Sequence, residues 1–189
     1  MKTHILTSDQ LTAKFQVFAH PNMDEKDMNY FRQDMRSWFY NPKHVYFVIS
    51  ENMEFRYPDG EYEDGTQAYS DFCGDFPIAV LKLYAEDDGF FTLSYIQVAN
   101  QYQGKKLSKT LIHMMVEWLN KKKINLIQRT FPSSIGEQRC FANITKILNE
   151  NGIAYGYERY RFYEPEPEFP LFRDVMKQMI TTDCNVCLT

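Results

Sequence analysis

The chain has 189 residues, 44% of them apolar and 16% aromatic, with a formal net charge of -4. That length suits one domain, expected over 1–189, and that apolar content suits a packed core rather than a disordered segment. The acidity argues against a nucleic-acid-binding surface, so direct DNA binding is disfavoured.

The longest apolar runs, 76–84 and 90–99, are about half the ~20 residues a membrane-spanning helix needs. Behind Met1-Lys2-Thr3-His4, polar Ser8, Asp9 and Gln10 interrupt any secretion signal, so a cytoplasmic location and no membrane partner are expected. Cys73, Cys140, Cys184 and Cys187 are spaced for neither a disulfide framework nor a zinc site, and reduced thiols are expected.

Over 24–40, Met28, Phe31, Met35 and Phe39 recur at helical spacing behind acidic residues, which predicts an amphipathic helix stopped by Asn41-Pro42. Residues 44–50 and 76–85 are rich in Val, Ile, Phe and Tyr and predict two antiparallel strands. Between them, 51–75 carries eight acidic residues against Arg56 alone, with turns at Asp59-Gly60 and Asp64-Gly65. It is long for a connection and reads as an insertion or an active-site loop. Asp87-Asp88-Gly89 predicts a hairpin into a strand over 90–98.

From Leu107, the stripe Leu111, Ile112, Met115, Val116 and Leu119 predicts a helix closed by Lys121-Lys122-Lys123, whose charge suits a helix C-terminus. A strand over 124–130 and a helix over 136–151 follow, with Phe141, Ile144, Ile147 and Leu148 inward and Gly152 as C-cap. A strand over 153–163, a break over 165–170 and a short terminal helix over 171–180 complete the chain. The order implies an α/β fold: a mixed, mostly antiparallel sheet flanked by helices, with parallel pairing at the strand-helix-strand crossover.

The segment Gln103-Gly104-Lys105-Lys106-Leu107-Ser108-Lys109 joins a strand to the most regular helix through a polar turn. Free N–H groups and the positive end of the dipole at a helix start favour an anion, and three lysines add charge. Composition alone favours an ordinary connection with solvated lysines, since one Gly is a weak signal.

Preceded by the apolar strand that ends at Val98, this segment resembles the acetyl-CoA-binding motif of the GNAT N-acetyltransferases, Q/R-x-x-G-x-G/A. Gln103 stands at its first position, Lys106 at the first motif glycine and Ser108 at the second. The resemblance extends over about 44–163 through the order of elements and through Asn151-Gly152-Ile153 at the end of the second core helix. It implies a single GNAT-like domain with that core, acetyl-CoA as co-substrate, and transfer of an acetyl group to a primary amine by direct attack. By the same resemblance Ile96, Gln97 and Val98 would face the pantetheine arm, and Gln103, Gly104, Lys105, Lys106, Leu107, Ser108 and Lys109 the phosphates.

Many members carry a tyrosine four residues before the helix-closing glycine to protonate the leaving thiolate; here Leu148 stands there. Tyr155 and Tyr157 are the substitute acids and Glu86, with Asp87 and Asp88, the candidate base, each with an ordinary surface or core role as its alternative. The acidic 51–75 segment suits a cationic acceptor, whether a small-molecule amine, a protein lysine or an aminoacyl-tRNA. Homodimer formation stays open.

His4, His20, His44 and His113 are too scattered for a metal site, and Cys140 has no neighbouring His to activate it. The other reading, prompted by Lys106 and Leu148, is a GNAT-fold protein that binds a ligand or partner without catalysis.

Overall fold

The computed structural model describes residues 1–15, 43–86, 89–129 and 135–157. Its elements in chain order are β1 (Lys2–Thr7), α1 (Ser8–Lys14), β2 (Val45–Glu61), β3 (Gln67–Ala85), β4 (Phe91–Val98), a 3-10 turn (Asn100–Tyr102), α2 (Leu107–Lys121), β5 (Leu126–Arg129), α3 (Ile135–Glu150) and β6 (Ala154–Tyr157). The predicted helices over 24–40 and 171–180, and the strand beyond Tyr157, lie outside the described residues.

Neighbouring strands are hydrogen-bonded in the order β1 to β6. β1 runs antiparallel to β2, Lys2 opposite Ser50 and Thr7 opposite Val45. The connections from β2 to β3 and from β3 to β4 are too short for a crossover, so both pairs are antiparallel hairpins. β4 and β5 pair in parallel, as do β5 and β6. The sheet is therefore mixed and mostly antiparallel, as the sequence predicts.

The chain divides into two compact units, one holding Met1–Lys82 with Tyr95–Leu111 and the other Leu83–Ser94 with the chain from Ile112 onward.

In the first unit, β1 turns His4 and Leu6 inward, and Thr7 then caps α1 reciprocally with Gln10. This capping box satisfies orphan N–H groups at the helix start and directs Leu11 and Phe15 onto Tyr46, Val48, Phe76 and Val80. β1 and α1 were not expected from the sequence.

Of the two sequence readings of acidic 51–75, an insertion or an active-site loop, the loop is corrected: the segment is mostly strand. β2 runs on to Glu61 and β3 begins at Gln67, with the turn between them closed by Tyr62 donating to Thr66 (2.8 Å) and Gly65 to Tyr62 (2.9 Å). The base of this arm is covered on both faces, since Tyr46 to Ser50 and Phe76 to Leu83 are all buried. Farther out, burial alternates: Met53 and Phe55 on β2, and Phe72 on β3, turn inward, while Glu54, Arg56, Asp71 and Cys73 face outward. Phe55, Phe72 and Phe76 meet with ring centroids 4.9 to 5.9 Å apart. Each such aromatic pair contributes about 1 kcal/mol beyond its area.

Tyr46 and Val48 reach this core from even positions of β2, whereas Met53 and Phe55 reach it from odd ones. The alternation slips by one residue between them, the signature of a β-bulge. As a result Glu51 shares the inward face with Met53 and Phe55.

In the second unit, α2 buries Ile112, Met115, Val116 and Leu119; β5 buries Leu126 and Ile127; and α3 buries Ile144, Ile147 and Leu148. Phe91 meets Trp118 edge-on at 5.5 Å. α3 ends in a Schellman motif: Gly152 has φ 66°, its N–H donates to Asn149, and Ile153 donates to Leu148. The end of α2 repeats this geometry, Lys123 donating to Asn120 and Ile124 to Leu119, but with a lysine at φ 59° where glycine is usual.

Candidate functional site

The strand-to-helix loop is held at both ends by backbone bonds. Ala99 N–H donates to Ile78 (2.9 Å), and Tyr102 N–H donates back to Ala99 (2.8 Å), which closes the 3-10 turn. Gln103 is exposed, Gly104 has φ 77° and Lys106 φ 62°, and buried Leu107 then opens α2. A Cβ on Gly104 would meet nothing within 4 Å, so its φ, and not crowding, is what favours glycine there.

The first intrahelical bond recorded in α2 runs from Thr110 N–H to the Lys106 carbonyl, at 3.3 Å. The N–H groups of Leu107, Ser108 and Lys109 precede that bond and have no intrahelical acceptor, as at every helix start. Lys105, Lys106 and Lys109, all exposed, are their neighbours along the chain. An anion seated here meets both hydrogen-bond donors and the positive end of a 15-residue helix. Lys106 stands where the family's motif has a glycine, and its backbone takes the left-handed turn that glycine adopts without strain.

Tyr102, which the sequence reading passed over, is 9% exposed. Its hydroxyl donates to Glu51 Oε2 at 2.5 Å, and the Lys105 ammonium lies 4.6 Å from the centre of its ring. The hydrogen bond to the Glu51 carboxylate, followed by burial, pushes the phenol up to about 12, so it stays protonated and donating. Ile96, Gln97 and Val98 are half-buried at the end of β4. The side-chain Oε1 of Gln97 is buried without a hydrogen-bond partner, a position that favours a donor from a ligand.

Thus Ile96 to Val98 and Gln103 to Lys109 all belong to the first unit. The acid and base candidates belong to the second. Glu86 is half-buried and accepts from the Thr92 hydroxyl at 2.6 Å, while Thr92 also lies 3.4 Å from Gln128 Oε1. Tyr155 is half-buried on β6 opposite Ile127, and Tyr157 stands opposite Arg129. Asp87 and Asp88 lie outside the described residues. Leu148 is fully buried in α3 and its carbonyl accepts the closing bond of the helix cap.

Among the described residues, no group of three or more His, Cys, Asp or Glu could hold a metal ion, and no helix is long and apolar enough to cross a membrane. Cys73 is exposed, and its thiol is pushed up by its hydrogen bond to Glu54.

No family model matches the sequence, and no curated protein matches it significantly. Among solved structures, the chain is similar to an aminoglycoside N-acetyltransferase, AAC(6')-Iy, in complex with CoA, at 13% identity and TM-score 0.43, over 87% of this chain and 99% of that one. It is also similar to a ribosomal-protein-alanine N-acetyltransferase from Brucella melitensis biovar Abortus 2308, at 11% identity and TM-score 0.42, over 88% and 100% of the two chains. A third is the aminoglycoside 6'-N-acetyltransferase AAC(6')-Ih from Acinetobacter baumannii, at 12% identity and TM-score 0.38, over 87% and 99%.

Proposed function

We propose that the chain is a cytoplasmic, single-domain N-acetyltransferase of the GNAT type that moves an acetyl group from acetyl-CoA to a primary amine. The observation that carries this reading is the loop from Gln103 to Lys109. Left-handed turns at Gly104 and Lys106 lead into α2, whose first N–H groups have no intrahelical acceptor, and three exposed lysines lie in the same short segment. The pyrophosphate of CoA supplies the doubly charged anion such a turn favours. Gln103 begins the loop where the family's motif places it, and β4, α2, β5, α3 and β6 follow in the family's order.

In this reading Ile96, Gln97 and Val98 flank the pantetheine arm. Its amides can pair with strand backbone, and one amide N–H can satisfy the buried Oε1 of Gln97. The neutral amine of the acceptor attacks the thioester carbon directly, the carbonyl oxygen takes up negative charge, and collapse expels the CoA thiolate, which then takes a proton. Holding the two reactants together supplies much of the rate, up to about 7–11 kcal/mol of the barrier. The candidates carried over from the sequence are Glu86 as acceptor for the amine proton and Tyr155 or Tyr157 as donor to the thiolate, since Leu148 stands at the family's tyrosine, and each keeps an ordinary surface or core role as its alternative. Thr92 fixes the carboxylate of Glu86 in one orientation.

The acceptor is a cation before it loses its proton, and the outward face of the β2–β3 arm, where Glu54 and Asp71 outnumber the Arg56 that pairs with Asp71 at 3.8 Å, suits its approach. An amine on a small molecule, a protein or an aminoacyl-tRNA fits that description. Titration of the purified protein with acetyl-CoA tests the reading, and release of free thiol in the presence of a panel of amines tests the transfer. A folded protein that binds no acetyl-CoA would instead be the non-catalytic member of this fold.

A further inference from the structure

We propose that Glu51 is a positioning residue for the phosphate-binding loop and acts on it through Tyr102. The inference rests on the acetyl-CoA reading for its ligand but not for its geometry. Glu51 lies on β2 and Tyr102 immediately before the loop, 51 residues later. The slip in β2 between Val48 and Met53 turns Glu51 toward the core side, where Met53, Phe55 and Ala99 also pack. Its carboxylate receives the Tyr102 hydroxyl, and Tyr102 is buried while the residues that follow it, Gln103 to Lys106, are exposed.

Two of those exposed residues hold left-handed backbone, and for Lys106 that conformation is strained. Strained backbone persists only where its surroundings over-determine it. On the N-terminal side of the loop, three contacts that do so meet at Tyr102: its N–H closes the 3-10 turn on Ala99, its hydroxyl is fixed by Glu51, and its ring seats the Lys105 ammonium at 4.6 Å. On the other side α2 begins at once. The turn is thus stretched between a fixed ring and a fixed helix, and its N–H groups are aimed before any ligand arrives. Glu51 touches no ligand in this scheme; its carboxylate sets where the ring stands.

A pre-aimed loop matters for a ligand with a pyrophosphate and not for the arm that lies along the strand. Four forms of the full chain separate the cases: wild type, Tyr102→Phe, Glu51→Gln and Glu51→Ala. Amide hydrogen exchange at Tyr102 and Thr110, whose N–H groups close the 3-10 turn and the first turn of α2 on either side of the loop, reads the loop in the unliganded protein, and affinities for CoA and for pantetheine read its use.

Tyr102→Phe keeps the ring and loses the bond to Glu51; exchange at these two amides should quicken about tenfold and CoA affinity fall about tenfold, the size of one hydrogen bond to a charged group. Pantetheine affinity should not change, and Glu51→Gln, which keeps an acceptor oxygen, should lose less than Glu51→Ala. Wild-type exchange and CoA affinity in Tyr102→Phe overturn the proposal, as does an equal loss for CoA and pantetheine. Should the wild type bind no CoA, the acetyl-CoA reading fails, while the exchange comparison still decides whether Glu51 holds the loop.

Discussion

Lys106 and Lys123 stand at opposite ends of α2 with nearly the same left-handed backbone, φ 62° and 59°. Both occupy positions that glycine fills without strain. For a residue with a Cβ the left-handed region costs about 1–2 kcal/mol. Lys123→Gly should therefore stabilise the protein by about 1 kcal/mol and raise its melting temperature by about 2–4 °C, with CoA affinity unchanged, since Lys123 follows the helix and the loop precedes it. Thermal melts of the variant against wild type check this.

Gly104 makes the opposite case. Nothing crowds its missing side chain, and only its φ of 77° demands glycine. Gly104→Val should thus weaken CoA binding by about tenfold, the equivalent of the left-handed cost falling on the loop, while Lys123→Ala leaves binding alone. Equal effects from the two variants, measured by titration, would remove the loop from the account.

Burial, and after it the nearby Lys82 ammonium, pull His44 down from its ordinary 6.5 to about 4. The unfolded chain takes up this proton below about pH 6.5, while the folded chain resists until near pH 4. The contribution to stability is therefore intact above pH 6.5 and is lost as pH falls toward 4, at no more than about 1.4 kcal/mol per pH unit. Denaturant melts between pH 7 and 4 should show a shallower fall in His44→Gln than in wild type.

Direct attack by the amine needs no cysteine. The thiol of Cys73 is held protonated by Glu54, the reverse of what a nucleophilic thiolate requires. Cys73→Ser and Cys140→Ser should both keep wild-type kcat, and initial rates should give intersecting rather than parallel double-reciprocal lines. A burst of thiol release without acceptor would contradict direct transfer.

The elements with strong periodicity were legible in the sequence. The stripe from Leu111 to Leu119 marked α2, Gly152 marked the end of α3, and the strand-helix-strand order implied the parallel pairing of β4 with β5 and of β5 with β6. The acidic arm was misread because its Gly and Asp residues suggest a loop, although Glu51 to Arg56 already alternate inward and outward. A hairpin needs only one protected face, and three phenylalanines supply it. β1 and α1 were missed because a six-residue polar strand carries little apolar signal; Thr7 and Gln10, spaced as a capping box, were the readable clue.

Of the candidate site, Gln103 to Lys109 could be picked out because loop motifs are local. The bond between Tyr102 and Glu51 could not, since it depends on a slip in a strand 51 residues away. The aromatic nature of Tyr102 gave no sign of a partner among 13 tyrosines. Left-handed backbone at Lys106 was hinted at only by its place at a motif glycine, because lysine does not announce it as glycine does.

The most direct test of the central claim is isothermal titration of acetyl-CoA, with CoA as control, into purified protein shown to carry no co-purified nucleotide. The account predicts saturable binding at micromolar strength, weakened by Gly104→Val and not by Lys123→Ala. A folded, nucleotide-free protein that takes up neither ligand would contradict it.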